Sequence, residues 1–316
     1  MSRINWRKGF ESGWKTALEL VKVVFPVALA VHLAKQTPLL DLLADLLSPV
    51  MGWFGLGGEA AIPLVLGNVL NLYAALGAIQ ALDLTVKQVF VLAVMLSFSH
   101  NLFIETALCR RVGVSALLIA SVRVGLALVS ALLIHWLVPF GDRPAGFRLV
   151  SGEPAGENTW MEVAGSAILA SLEGVIQLVV IVIPLMLMIQ VLKDLGVMER
   201  TARLLAPAMK LLGIAPTGAV TLASGLFAGL FFGAGLIIQE AREQNLSRRD
   251  IALIMVFLAA CHAVVEDTLV FVPLGIPVLP LLLIRLAAAI LITLVIARLW
   301  KVPAVQSYAT AGDGKP

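Results

Sequence analysis

The chain has 316 residues, of which 60% are hydrophobic and 14% charged, and its formal net charge is +3. Soluble domains contain roughly 45–50% apolar and about 25% charged residues, so this composition excludes an ordinary soluble domain and indicates a membrane protein. The basic residues lie mostly at the ends of apolar runs and form no stripe, so they indicate membrane topology and no nucleic-acid partner.

The first half of the chain begins with a basic segment that precedes an apolar run. Residues 31–35 offer no small-residue cleavage site, so we expect this run to be retained as the first membrane span rather than removed as a signal peptide. An interfacial helix is predicted next, followed by an apolar segment at 60–82 that Gly67, Asn68 and Asn71 interrupt. Two further apolar runs, long enough with their flanks to approach the ~20 residues that cross a bilayer, complete this half.

The second half of the chain repeats the first. Leu47–Met51 matches Leu205–Met209 at a shift of 158 positions, and beyond a longer loop near Glu243 the shift becomes 162. Because apolar sequence alone produces chance similarity, the matched polar and charged residues carry the inference of a duplication. At the second shift these pairs include His100 with His262, Glu105 with Asp267, Thr106 with Thr268, and Arg123 with Arg285. The predicted units are a first repeat at 1–140, an external polar linker at 141–159, a second repeat at 160–302 and a disordered cytoplasmic tail at 303–316.

The orientation of the two repeats depends on whether the interrupted segments at 60–82 and 219–239 cross the membrane. If they cross, each repeat has four spans, and the basic loop after the first span of the second repeat lies outside, against the positive-inside rule. If each segment is a re-entrant hairpin, each repeat has three spans, the second copy is inverted, and most basic residues face the cytoplasm. Charge therefore favours the hairpin, and the glycines permit such a turn, although small residues also serve tight helix packing.

We therefore predict an all-α polytopic protein of the cell (inner) membrane with both termini in the cytoplasm. It consists of two inverted repeats, each with three membrane spans, an interfacial helix and a re-entrant helical hairpin. Inverted repeats with paired interrupted segments are typical of secondary transporters, whose sites lie near the bilayer midplane where the repeats meet. This analogy of folds indicates a class of protein, and the function has to be argued from the site.

Polar residues near the middle of two spans mark the predicted site. The segment from His100 to Thr106 and its counterpart from His262 to Thr268 begin about a dozen residues into a span, which at ~1.5 Å per residue places both histidines near the midplane. Ionisable groups are costly there and by default mark a pathway or a site. The predicted substrate-binding residues are Asn68, Asn71, His100, Asn101, Glu105, His262, Glu266 and Asp267.

The spacing within the two motifs limits what they can bind together. His262 and Glu266 are four residues apart and share one face of a helix. His100 and Glu105 are five residues apart and diverge around an ideal helix, so they converge on one ligand only where the helix is broken or overwound. We expect a local break at this point.

The matched arginines are predicted to neutralise the matched acids. Arg123 is expected to pair with Glu105, and Arg285 with Asp267 or Glu266, because a lone arginine at this depth would be costly. Such pairs either shape a site or simply join two helices within each repeat. Glu266 has no acidic counterpart in the first repeat, so it is expected to be the carboxylate left free for a proton or a cation.

The two histidines also raise the question of a metal. An imidazole can bind a transition metal, transfer protons or hydrogen-bond a polar substrate. The candidate ligands are His100, His262, Glu266 and Cys261, and the metal is not identified by the sequence. Cys261 is also explained as buried packing. Its counterpart is Ser99, a poor ligand for a soft metal, which weighs against a metal site that is symmetric in the two repeats.

The arrangement resembles the Gate, or nucleoside-recognition, family of membrane proteins, which is similar to the concentrative nucleoside transporters and to the membrane part of bacterial ferrous iron transporter B. The resemblance rests on the segment from Gly67 to Gly77, the run from Gly225 to Gly235 and the two motifs of His, acid and Thr. It covers nearly the whole chain as two Gate-like units, and it implies a role in membrane transport. The chain shows neither the GTPase domain nor the cysteine-containing signatures of that iron transporter.

Three functions are consistent with the sequence. The first is a transporter or facilitator for a small polar, nucleoside-like solute that binds between the two repeats. The second is a divalent metal permease, and the third is a membrane assembly or scaffold protein that transports nothing. No nucleophile and base are spaced for catalysis, so no enzyme is predicted. The expected partners are the lipid bilayer and a small polar solute or cation; a coupling ion and a homo-oligomer remain open, and no cofactor is expected.

Overall fold

A computed structural model of the protein shows a helical fold. The residues it describes contain no β-strand, and Thr85 and Pro144 form an isolated bridge between two loops. Most of the predicted linker and the whole predicted tail lie outside these residues. The described residues are 4–138, 143–145, 159–243 and 246–300, with the side chains at 231–236, 238 and 240–242 excluded.

The helices follow one another closely, with breaks at related places in the two halves. In chain order they are α1 (Trp6–Ala34), α2 (Pro38–Met51), α3 (Ala61–Val69), α4 (Leu72–Ala81), α5 (Val86–Ser99), α6 (Leu102–Arg111), α7 (Ala116–Leu137), α8 (Trp160–Asp194), α9 (Val197–Met209), α10 (Ala219–Glu243), α11 (Arg248–Ala260), α12 (Glu266–Leu269) and α13 (Val278–Leu299).

Several of these helices are long and apolar enough to cross a membrane, which confirms the all-α polytopic class. Within the described chain there are five such segments, formed by α1, α5 with α6, α7, α8 and α13. The sixth predicted span corresponds to α11, which has 13 residues. At ~1.5 Å per residue it reaches only about 20 Å. The chain becomes irregular after α11 and is helical again only in α12. More residues are therefore non-helical in this span than in its counterpart in the first half, α5 with α6.

Each glycine-interrupted segment is broken near its middle. In the first half, α3 and α4 pack against each other across a break at Leu70 and Asn71. In the second half, α10 contains one residue with non-helical backbone angles, Gly229, with φ 74° and ψ 176°. Gly229 lies 158 positions after Asn71, the shift that relates this part of the two halves. Glycine adopts this positive φ without the strain that a side chain would bring.

The second segment of the first half also turns sharply before it reaches the hairpin. The helical stretch Pro38–Phe54 and the stretch Gly58–Val69 meet at an angle of 85°. An angle of this size suits an interfacial helix followed by a segment that enters the membrane. In the second half, α9 takes the place of α2 and carries Glu199, Arg200 and Arg203 among apolar residues, as a helix at a water boundary does.

Two buried helices, α5 and α11, form the middle of the protein. Every residue from Val89 to Ser99 and from Ile251 to Ala260 is buried. Capping boxes at Thr85 and Ser247, which lie 162 positions apart, begin both helices in the same way. Both helices contact α7 and α13. The large exposed apolar side chains of α1, α7, α8 and α13 lie around this core, where lipid would cover them.

Candidate functional site

Two backbone breaks, one in each half, create the centre of the protein. Between α5 and α6, Asn101 has a φ of 50°, and at the equivalent position between α11 and α12, Ala263 has a φ of 41°. Left-handed conformations cost residues with a side chain roughly 1–2 kcal/mol, so surrounding contacts have to hold both breaks. The N–H of Asn101 donates to the carbonyl of Gly67 (2.9 Å), and the N–H of Ala263 donates to that of Gly225 (3.3 Å). The predicted break between His and acid is therefore present.

Gly67 and Gly225 allow the two glycine-interrupted segments to lie close to the buried helices. A Cβ atom on Gly67 would lie 2.4 Å from Cδ2 of Leu96, and one on Gly225 would lie 2.3 Å from Cδ1 of Leu258. Both distances are well below van der Waals contact, so any larger residue would displace the leucine or the hairpin. The same two glycines thus provide the close approach and the carbonyl acceptor that each break requires.

Two fully buried arginines hold the carbonyls that the breaks release from helical hydrogen bonding. Arg123 donates through Nε to the carbonyl of Phe98 (2.7 Å) and through Nη2 to that of His100. Arg285 donates through Nη2 to the carbonyl of His262 (2.7 Å). Both arginine side chains have no exposed surface. Since an unpaired buried carbonyl is costly, these contacts stabilise the broken conformation as well as the arginines.

The structure brings each arginine to its matched acid. Nη2 of Arg285 donates to Oδ2 of Asp267 at 3.1 Å, and Nη1 approaches the hydroxyl of Thr268. Nη2 of Arg123 lies 2.9 Å from Oε2 of Glu105. Oε2 of Glu105 has no hydrogen-bond partner among the described residues, so this contact is an ion pair without hydrogen-bond geometry. The two guanidinium groups therefore offset the charge of the two carboxylates.

The two histidines have the same orientation in the two halves. Nδ1 of His100 lies 2.7 Å from the carbonyl of Leu96, and Nδ1 of His262 lies 2.7 Å from the carbonyl of Leu258. A carbonyl oxygen only accepts, so Nδ1 carries the hydrogen in both rings. Each Nε2 consequently points away from its own helix, and the ring centroids are 5.3 Å apart.

Both Nε2 atoms face the two carboxylates. Nε2 of His262 lies 3.4 Å from Oε1 of Glu105 and 3.5 Å from Oδ2 of Asp267. Nε2 of His100 lies 3.7 Å and 3.9 Å from the same two oxygens. Each half of the chain thus contributes one imidazole and one carboxylate to a single cluster, and we refer to His100, Glu105, His262 and Asp267 as the central cluster.

Part of this cluster has the arrangement of a metal site. Ligand atoms of His100, His262 and Asp267 all lie within 4.8 Å of one another. Cys261 is buried but does not belong to this group, and neither do Glu266 and Glu105, although Oε1 of Glu105 lies 3.4 Å from Nε2 of His262. The group contains the histidines of both halves but the acid of the second half alone, so the expectation that a metal site is not symmetric in the two repeats still stands as a prediction.

Glu266 pairs with no arginine among the described residues, but it does have a hydrogen-bond partner, and its availability for a proton or a cation stays a prediction. Its Oε1 accepts a hydrogen bond of 2.7 Å from the hydroxyl of Tyr73, on the second arm of the first hairpin. Glu266 is half-buried and begins α12. It therefore links α12 to the hairpin of the other half and does not join the central cluster.

The three predicted amide side chains take local roles. Asn71 accepts from the N–H of Ala74 and caps α4. Asn68 donates to the carbonyl of Leu64, while its Oδ1 is buried without a hydrogen-bond partner among the described residues. Asn101 acts through its backbone at the break. Of the three, only Asn68 retains a buried polar atom available to a ligand.

The sequence missed the partners that orient the cluster. Tyr73 lies two residues after Asn71 but was not singled out, and the carbonyls of Leu96 and Leu258 belong to residues that look like ordinary core. The i−4 spacing from each histidine to its carbonyl is the one signal that could have pointed to them, because a side chain on a helix reaches back over the preceding turn.

Comparisons with known proteins place the chain in a family. The profile of the Gate family, described as nucleoside recognition, matches residues 17–115 and 175–277. These two matches begin 158 positions apart and end 162 positions apart, as the two halves do. The chain is 50% identical over 293 residues to the uncharacterized membrane protein YvoD of Bacillus subtilis (strain 168), an alignment that covers 93% of this chain and 94% of that protein. No solved structure matches the chain.

Proposed function

Because this chain belongs to the Gate, or nucleoside-recognition, family of membrane proteins, we propose that it moves a small polar or charged solute across the membrane. The observation that carries the proposal is the meeting of two broken helices, whose histidines face each other with ring centroids 5.3 Å apart. Irregular backbone survives at membrane depth only where it is buried in protein or lines a cavity, and transporters place their sites at such discontinuous helices.

The proposed topology is that of two inverted repeats. In its favour, several structural features of the centre recur after 158 or 162 positions, including the positive φ at Asn101 and Ala263 and the contact of each arginine with a histidine carbonyl. The distribution of basic residues favours inversion, with three spans in each repeat and both termini in the cytoplasm of the cell. In this arrangement the central cluster would lie at the interface of the repeats, and gating would be a movement of one repeat against the other.

The proposal leads to a transport experiment. Purified protein is reconstituted into proteoliposomes, and uptake of nucleosides and of divalent cations is measured against empty vesicles. His262→Ala should abolish uptake, because it removes one of the two imidazoles that face the centre. His135→Ala is the matched control, since His135 lies at the end of α7 and outside the central cluster. Equal uptake by His262→Ala and the unmodified chain would contradict this site.

A scaffold function is the second candidate, and the Arg–acid contacts are the observation that favours it. Arg123 and Arg285 would then serve only to join α7 to α6 and α13 to α12. Such a protein would be stabilised by no solute. A thermal-shift screen with nucleosides and divalent cations separates the two functions, because a ligand that binds only the folded protein raises its melting temperature. A shift that His262→Ala removes would exclude a purely structural role.

A further inference from the structure

We infer that the central cluster binds a divalent transition-metal cation, with Nε2 of His100, Nε2 of His262 and a carboxylate oxygen of Asp267 as ligands. Oε1 of Glu105, which lies 3.4 Å from Nε2 of His262, is the proposed fourth ligand. A metal ion at this cluster would be a specific case of the solute in the proposed function. Only the claim that the bound ion is also transported rests on that proposed function. The binding site itself is argued from the contacts of these four residues.

The first step is the direction of the imidazoles. Each Nδ1–H is held by a backbone carbonyl, which leaves each Nε2 to face the centre. Nε2 of His262 is buried, with the residue 2% exposed, and has no hydrogen-bond partner among the described residues. A neutral imidazole would direct its Nε2 lone pair at two carboxylate oxygens, which is unfavourable unless a cation or a proton lies between them.

The distances between the imidazole nitrogens and the carboxylate oxygens favour a bound metal over a bound proton. An imidazolium that donates to a carboxylate brings nitrogen and oxygen to about 2.7–2.9 Å. The four separations observed here are longer, at 3.4, 3.5, 3.7 and 3.9 Å. Ligands at about 2.0–2.1 Å from a tetrahedral Zn²⁺ are about 3.3–3.4 Å from one another. The two separations of His262 match this spacing, and the two of His100 are longer. These gaps suit a small ion that draws His100 closer, whereas a nucleoside base could not stand between atoms this close together.

The third step is the support around the ligands. A histidine that binds a metal usually donates its other ring nitrogen to a carbonyl or a carboxylate, which fixes the ring and raises its basicity. Both histidines of the cluster have such a partner at 2.7 Å. Two nitrogen and two oxygen ligands suit Zn²⁺ and similar divalent transition metals better than Mg²⁺ or Ca²⁺, which prefer oxygen alone.

The fourth step concerns the strength of binding. Arg123 and Arg285 already offset the charges of Glu105 and Asp267, so the two positive charges of the ion are not neutralised. Binding should consequently be weaker than in structural zinc sites of the same ligand count. Conduction requires a site that releases its ion, because the ion must bind strongly enough to enter the site and weakly enough to leave it. The charge balance thus fits a transient site better than a permanent one.

The test measures bound metal. Full-length protein in detergent is freed of metal with a chelator, dialysed against Zn²⁺ or Co²⁺, and analysed by elemental mass spectrometry and, for Co²⁺, by visible absorption. We expect stoichiometric binding and the absorption bands of tetrahedral Co²⁺. His100→Gln and His262→Gln should each lose the bound metal and the bands, and Asp267→Asn should weaken binding by more than about tenfold.

Two controls keep the result interpretable. Cys261→Ser recreates the residue of the equivalent position in the first half and should retain the metal, as should His135→Ala. Size-exclusion profiles and metal-free melting curves show whether each His→Gln variant is folded, and the Asp267→Asn result provides a second comparison if one is not. Binding that both His→Gln variants keep, or a folded unmodified chain that binds no Zn²⁺ or Co²⁺, would overturn the inference.

The same measurements distinguish this inference from the proposed function. Metal that binds at the cluster but does not enter proteoliposomes would leave the site correct and transport of the ion wrong. Nucleoside uptake by a protein that binds no metal would leave transport correct and the metal site wrong. Uptake of Zn²⁺ that disappears in His262→Gln together with the bound metal would support both.

Discussion

His100 and His262 lie 162 positions apart in the chain, yet their rings face each other at 5.3 Å and each bonds a carbonyl four residues earlier. A pair of this kind arises when two copies of one unit meet about a pseudo-twofold relation, because each copy then brings the same group to the shared axis. After duplication, each half could change alone, as the difference between Ser99 and Cys261 illustrates.

The buried arginines provide the first prediction. Arg285→Gln should destabilise the protein by about 3–5 kcal/mol, because it leaves Asp267 buried without its cation and the carbonyl of His262 without its donor. Arg203→Gln, on an exposed position of α9, is the matched control and should change stability little. Melting temperatures in detergent measure the difference. Equal melting of the two variants would show that the arginine contacts do not hold the break.

The two glycines that contact the buried helices provide a second prediction. Gly225→Ala should destabilise by about 1–3 kcal/mol, because the new Cβ would lie 2.3 Å from Cδ1 of Leu258. Gly125→Ala is the control, since a Cβ there meets no atom within 4 Å. Combining Gly225→Ala with Leu258→Ala should cost less than the sum of the two changes, which a double-mutant cycle of melting data would detect. Additive losses would mean that the close approach is not what requires glycine.

The sequence was sufficient for the polar pairs because charged residues within apolar runs are rare and conspicuous. Arg123, Arg285 and their acids could be matched from a fixed shift alone, and the five-residue spacing of His100 and Glu105 required a break if the two were to meet. These inferences depend on local order and on the high cost of unpaired charge in a bilayer, both of which the sequence contains.

The sequence was insufficient where a partner is distant and ordinary. The hydroxyl that binds Glu266 belongs to Tyr73, 193 positions away, and no periodicity relates the two. The sequence also does not indicate how many residues are non-helical at the break in the second half. Several residues between Ala260 and α12 are non-helical there, whereas α6 resumes directly after Asn101. Such differences depend on tertiary packing, which no local pattern records.

The contact between Tyr73 and Glu266 provides a third prediction. Tyr73→Phe should destabilise by about 1–3 kcal/mol, because it leaves a half-buried carboxylate without its donor. Glu266→Gln should lose less in the Tyr73→Phe background than in the unmodified chain, since the hydrogen bond is already absent. Glu199→Gln, an exposed carboxylate of α9, is the control. If the loss of stability in the double variant equals the sum of the two single losses, the two residues act independently.

Membrane topology provides the last prediction. In a chain whose two cysteines are replaced by serine, a single cysteine at Lys35 should react with an impermeant maleimide added to intact cells, because inversion places the end of α1 outside. A single cysteine at Arg200, in the equivalent region after α8, should react only after the membrane is opened. If the halves were parallel, both positions would lie on the same side and react alike. Labelling of both from outside would therefore exclude inversion and, with it, a cluster formed at the interface of inverted repeats.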